Sequence, residues 1–187
     1  MEGLTALMIT LVDIDNVMNN FTETCVNIYN ENYGTNYKHT DIVTYNIASC
    51  LGPANWEDFL NNYLLSPKIT DACIPLPEAP HYLELINKIC ELYVVTARDW
   101  SQLINIKLWL KLYFPFLEDW QIIRCRNKNL IMGDILIDDC LDNILNFSRG
   151  RILFDYPYNR DIDDLTNFIT RVHGWQECYD VIKLKTA

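Results

Sequence analysis

Hydrophobic residues in this chain fall into short continuous runs, separated by longer stretches in which they recur at helical spacing. Leu7 to Val12 is aliphatic or β-branched almost throughout and predicts a strand buried on both faces. Runs of the same kind at 91–96, 120–125, 134–139 and 151–154 predict four more strands. Helical spacing is expected from Asn19 to Tyr33, where Phe21, Cys25, Ile28 and Tyr29 share a face and Gly34 marks the end. It returns at 79–89, at 100–113 with Leu103, Ile106, Trp109 and Leu110 on one stripe, at 161–171 and at 174–182. Strands alternating with helices predict an α/β fold, a parallel sheet with helices on both faces.

One stretch breaks this alternation. From Asn32 to Asp71 the strand signal disappears and Asn, Tyr and Thr become frequent. Short helices are expected at 39–43 and 55–64, the latter with Trp56, Phe59, Leu60, Tyr63 and Leu64 on one face, and Gly52-Pro53 and Ser66-Pro67 punctuate the stretch. Pro75, Pro77 and Pro80 return the chain to its main body. The expected organisation is a core of residues 1–16 and 76–187, with a small helical cap, 17–75, inserted after the first strand. Its aromatic residues suit a local core or a wall facing a ligand equally well.

Composition narrows the classes. At 187 residues, half of them hydrophobic, the chain can bury a sizeable core, and a formal net charge of −10 opposes binding to a nucleic-acid polymer. Seven cysteines without a CxxC pair predict free thiols in a reducing cytoplasm. The N-terminal run follows Glu2 rather than a basic segment and ends in Asp, unlike a signal peptide, and no apolar run approaches a membrane span. His39, His81 and His173 are isolated and expected at the surface. Asp161, Asp163 and Asp164 are expected to open a helix, Asp134 to face solvent and Asp142 to cap.

The candidate chemistry lies where the strands end. Asp13 and Asp15 close the first strand and point the same way, Thr96 closes the second, and Asp138 and Asp139 close the fourth. In a parallel sheet these ends share one edge, the edge at which ligands bind. Lys128, on the preceding loop, can reach it as a counter-charge. Paired acids repel unless a cation sits between them, and Mg²⁺, a hard ion that prefers oxygen, suits the set. Four acids, a lysine and a hydroxyl are what phosphoryl transfer requires: a nucleophile, a proton donor and groups that neutralise the phosphoryl oxygens.

These pieces resemble the four motifs of the haloacid dehalogenase (HAD) superfamily of phosphatases. The match runs through Asp13-Ile14-Asp15-Asn16-Val17, Val95-Thr96-Ala97-Arg98, Arg126-Asn127-Lys128 and Gly133-Asp134-Ile135-Leu136-Ile137-Asp138-Asp139. With the late segment Ile152 to Arg160, the chain is similar to the 5'(3')-deoxyribonucleotidases and their bacterial relatives. The resemblance implies a HAD-like, Rossmann-type core and a Mg²⁺-dependent phosphatase of nucleoside monophosphates, 5'(3')-deoxyribonucleotides foremost, working through an aspartyl-phosphate. It implies Asp13 as nucleophile and Asp15 as general acid/base. Thr96, Ala97 and Lys128 would hold the phosphoryl group, and Asp13, Asp15, Asp138 and Asp139 would form the metal site. Phe21, Tyr45 and Arg126 are expected in the substrate pocket. Asn16 stands where glycine is common, and Ala97 where serine is usual. Arg98 is expected at the surface or a helix start, Trp175 in the core, and Tyr158-Asn159-Arg160 has no assigned role. A homodimer is an admissible assembly. The alternatives are a phosphatase for another small phosphorylated metabolite and a non-catalytic nucleotide-binding module.

Overall fold

The computed structural model describes residues 7–52 and 55–186. Glu2, and Pro53 of the Gly52-Pro53 break, lie outside the described residues. Six parallel strands form one sheet in the order β3-β2-β1-β4-β5-β6: β1 Ile9–Val12, β2 Glu91–Thr96, β3 Ile122–Arg124, β4 Ile135–Asp138, β5 Gly150–Phe154 and β6 Ile169–Val172. Every pairing is parallel, so every strand delivers its C-terminal end to the same edge. Alternation along β1 sends Leu11 and Val12 to opposite faces, and each face has its own apolar cluster.

On Val12's side the sheet is covered by α4 (Ala79–Ile89), α5 (Leu103–Tyr113) and α7 (Trp175–Thr186), through Leu83, Ile86, Ile106, Trp109, Trp175 and Ile182. On Leu11's side α6 (Leu141–Asn146) contributes Ile144, followed by Phe147. Gly133 precedes β4 at a close crossing, where a Cβ would meet Leu11 Cγ at 2.7 Å.

Between β1 and β2 the described chain is helical. It holds α1 (Phe21–Tyr33), α2 (Trp56–Phe59) running into a π-helical turn at Leu60–Leu64, and α3 (Pro67–Ala72). The helix expected at 39–43 is a single 3₁₀ turn, His39–Asp41. Gly34 ends α1 in the left-handed conformation, its N–H donating to the Asn30 carbonyl. This segment has its own core of Cys25, Val26, Tyr29, Ile42, Leu51, Phe59 and Ile69. Its two connections run side by side, with the Asn20 N–H bonded to the Ile74 carbonyl and the Leu76 N–H to the Met18 carbonyl.

The expected helix at 161–171 is replaced by a turn and a sixth strand. Asp163 accepts the Leu165 N–H, and Asp164 pairs with Arg171 of β6, so the acids organise a turn and a strand rather than a helix start. Asp134 is likewise engaged, its carboxylate accepting the Ile9 N–H beside β1. All seven cysteines are free thiols, the three histidines are exposed, and no described helix is long and apolar enough to cross a membrane.

Candidate active site

Strand register assembles the acids. Val12 lies beside Ile137, and the Asp13 N–H donates to the Ile137 carbonyl, which sets Asp13 next to Asp138. One carboxylate oxygen from each of Asp13, Asp138 and Asp139 falls within 4.8 Å of the others, and all three residues are buried. Lys128, only 2% exposed, donates to Asp13 at 2.5 Å and to Asp138 at 2.7 Å. The chain can bring it there because Asn127 caps a short turn, Lys128–Leu130, that directs the side chain inward.

Three carboxylates against one ammonium leave the cluster short of positive charge. Burial pushes the Asp13 carboxyl up to about 7; Lys128 opposes the shift, while the charges of Asp138 and Asp15 add to it. Burial likewise raises Asp139 well above the carboxylate range, with Asp138 and Asp13 adding to the rise. Burial works against the Lys128 charge, but Asp13 and Asp138 outweigh it and hold the ammonium protonated. An all-oxygen, charge-deficient cluster of this size fits a hard divalent cation.

The two adjacent acids differ in their bonds. Asp138 engages both oxygens, one with the Cys140 N–H and the other with Lys128 and the Asn143 amide. The bonds to Asp139 among the described residues fall on a single oxygen, which accepts the Tyr158 hydroxyl and the Asn16 amide. Asn159 adds an amide bond to the Asp139 carbonyl at 2.9 Å. Tyr158 and Asn159 therefore hold the acidic loop, a role that no local pattern of sequence displays. Asn16 sits at φ 61, the left-handed conformation for which glycine is common, and its side chain is put to use in the same network.

Asp15 faces an open cavity of about 400 Å³, lined also by Asn16, Phe21, Tyr45, Trp56, Asp139 and Tyr158. The helical segment's aromatics thus divide: Tyr29 and Phe59 are fully buried, whereas Phe21, Tyr45 and Trp56 reach the cavity. Tyr45 meets Tyr158 edge-on, with ring centroids 5.9 Å apart. Thr96 is buried at the end of β2, its hydroxyl accepting the Arg98 N–H, and Ala97 beside it is exposed. Arg126 is exposed on the loop before the Lys128 turn and does not line the cavity, because the two residues project differently from that loop.

Arg98 departs from expectation. Rather than a surface residue, its side chain is 9% exposed and forms a fork on Asp15, with Nε to one oxygen at 2.7 Å and Nη2 to the other at 2.8 Å. Its third nitrogen donates to the Thr70 hydroxyl, and the guanidinium lies 4.5 Å from the centre of the Phe21 ring.

The sequence profile of one family, "5' nucleotidase, deoxy (pyrimidine), cytosolic type C", matches residues 7–187. The chain belongs to this nucleotidase family. A 5'(3')-deoxyribonucleotidase of Clostridium acetobutylicum is 31% identical over 166 residues, covering 89% of each chain. One from Bacillus subtilis is 43% identical over 96 residues, covering 50% of this chain and 53% of that protein. The nucleotidase-family chain thus spans about half the length of the Bacillus relative and nearly all of the Clostridium one. Its fold is that of a haloacid dehalogenase-like hydrolase from Streptococcus pneumoniae, with a TM-score of 0.67 at 14% identity over 95% of this chain and 99% of that one.

Proposed function

We propose that the protein is a Mg²⁺-dependent phosphatase of nucleoside monophosphates, 5'(3')-deoxyribonucleotides foremost, with Asp13 as nucleophile. The observation that carries this reading is the buried set of Asp13, Lys128, Asp138 and Asp139, which reaches an aromatic-walled cavity through Asp139. Asp13 and Asp139 would hold the metal through their carboxylates and Asp15 through its backbone carbonyl, while Asp138, engaged on both oxygens, anchors Lys128. Bound there, the ion would neutralise charge on the phosphoryl group.

An oxygen of Asp13 attacks phosphorus as the bond to the nucleoside oxygen breaks, and Asp15 gives that oxygen its proton. Asp15 then takes a proton from water, whose oxygen attacks the aspartyl-phosphate, releasing phosphate and restoring Asp13. Lys128, the Thr96 hydroxyl and the Ala97 N–H face the phosphoryl oxygens. Residues 17–75 act as the cap that chooses the substrate, with Phe21, Tyr45 and Trp56 presenting flat apolar surfaces to a base and sugar.

The test is phosphate release with Mg²⁺ across 5'- and 3'-monophosphates, ribo and deoxy, beside sugar phosphates. Selective turnover of deoxynucleotides, abolished in folded Asp13→Asn protein and in excess chelator, is expected. Turnover of sugar phosphates alone would discard the substrate class, and no turnover by folded wild type would discard the enzyme.

A further inference from the structure

We propose that Arg98 is a positioning residue that aims the Asp15 carboxylate into the cavity and ties its aim to the seating of the cap. The proposal rests on the reading of Asp15 as the proton donor given above. Three groups from separate parts of the chain meet on this one guanidinium, and a fourth holds its backbone. Asp15, on the loop after β1, takes the two parallel bonds of the fork, a geometry that fixes the plane of the carboxylate as well as its distance. Thr70 of α3 accepts from Nη1 at 3.1 Å, and Phe21 of α1 covers the guanidinium face. The Arg98 carbonyl accepts Arg124 Nε at 3.0 Å, which anchors the backbone from the β3 side.

The fork approaches Asp15 away from the cavity. Arg98 does not line the 400 Å³ space, whereas Asp15 does, with 23% of its side chain exposed. Asn19 adds one bond to the same carboxylate, at 3.2 Å. An unclamped aspartate turns about two side-chain torsions, and few of its orientations would present an oxygen to a leaving group. Here the orientation is set by a partner that is itself gripped by two helices of the cap. Displacing α1 or α3 withdraws Thr70 or Phe21 from the guanidinium, so the proton donor is aligned only when the cap is seated. Phe21 also lines the cavity, so one residue serves both the substrate wall and the aligning group.

The role differs from that of a generic buried ion pair in what it predicts. Lysine can keep the charge but has no planar fork, so Arg98→Lys should retain the fold and lose the alignment. With the monophosphate that wild type turns over fastest, kcat should fall about 10²-fold, the scale of a small misplacement of a reacting group. KM should stay within about threefold, since a group acting in the transition state alone leaves ground-state binding intact. In an Asp15→Asn background the same substitution should cost less than about twofold, because the aligned proton donor is already gone. The loss should also shrink to a few-fold for the 5'-S-phosphorothiolate of the same nucleoside, whose thiolate departs without a proton.

Thermal melting establishes that each variant is folded, and Arg98→Lys decides the matter if Arg98→Ala does not fold. A loss that multiplies fully into the Asp15→Asn background, or one confined to KM, would overturn the proposal. So would an equal loss on the oxygen and sulfur esters. A folded wild type that hydrolyses no monophosphate would overturn the nucleotidase reading itself, a result visible before any variant is compared.

Discussion

Replacing Lys128 with Met keeps the length of the side chain and removes the only cation recorded in contact with the Asp13–Asp138–Asp139 cluster among the described residues. At a separation of 4.8 Å, two ionised carboxylates repel by about 3.5 kcal/mol at an effective dielectric of about 20. Full ionisation of the cluster would create three such pairs, and in wild type Lys128 offsets them at 2.5 and 2.7 Å. Removing one partner of a buried ion pair costs roughly 3–5 kcal/mol. For a domain of this size that is a fall in Tm of roughly 6–20 °C. The deficit depends on pH, because the carboxylates can relieve the repulsion by taking up protons. Metal-free Lys128→Met protein should therefore lose far more stability relative to wild type at pH 8 than at pH 5, and Mg²⁺ should restore much of it. The assay is thermal unfolding of both proteins at the two pH values, with chelator and with Mg²⁺. A deficit that is the same at pH 5 and pH 8, or that Mg²⁺ leaves untouched, would refute the claim that Lys128 balances these acids.

Asp15→Asn should lower kcat by about 10²–10⁴-fold, the usual scale for general acid/base catalysis, and a loss below tenfold in steady-state assays would remove Asp15 from that role. In metal-free wild type, Asp13 titrates near 7 when folded against an ordinary value of 3.8, so the folded state holds the extra proton between those values. Stability from this group is complete below about pH 4 and is lost as pH rises through about 7, and the raised Asp139 acts in the same direction. Mg²⁺ competes with those protons, so a fixed Mg²⁺ concentration should raise Tm more at pH 8 than at pH 5, and an equal rise would contradict the metal assignment. Tyr158→Phe removes the hydroxyl on Asp139 and should weaken Mg²⁺ binding by about 10–100-fold in a Tm-monitored titration. Unchanged affinity would make Tyr158 a packing residue only.

Five strands are legible as short apolar runs, since a buried parallel strand has no polar face to obscure it. The acids, Lys128 and Thr96 were legible for the same reason: each closes a strand or precedes one. β6 was hidden because its four residues, Ile169 to Val172, continue the apolar spacing of Leu165 and Phe168, both of which prove exposed. Arg98 was missed because its partner Asp15 is 83 positions away, and a fork on a distant carboxylate leaves no periodic trace. Tyr158 and Asn159 reach Asp139 across 19 and 20 positions and are equally silent. Arg126 shares a segment with Lys128 yet does not line the cavity, since neighbours on a loop need not point the same way.

The position of β1 in the sheet also bears on how the protein is made. The strand that precedes Asp13 leaves the ribosome before both of its partners, since Ile9 pairs with Glu91 and Thr10 with Ile135, so each edge stays open until its partner is made. The loop after it is fastened later still, when the Trp175 indole N–H reaches the Val17 carbonyl across 158 positions. Contacts of such long range are slow to close. A nascent chain stalled before β4 would expose an unpaired edge of β1, and one stalled before α7 would carry Asp13 beside an unfastened loop. Pairing with β4 therefore covers the second edge of β1, and the later docking of Trp175 fastens the loop beside Asp13.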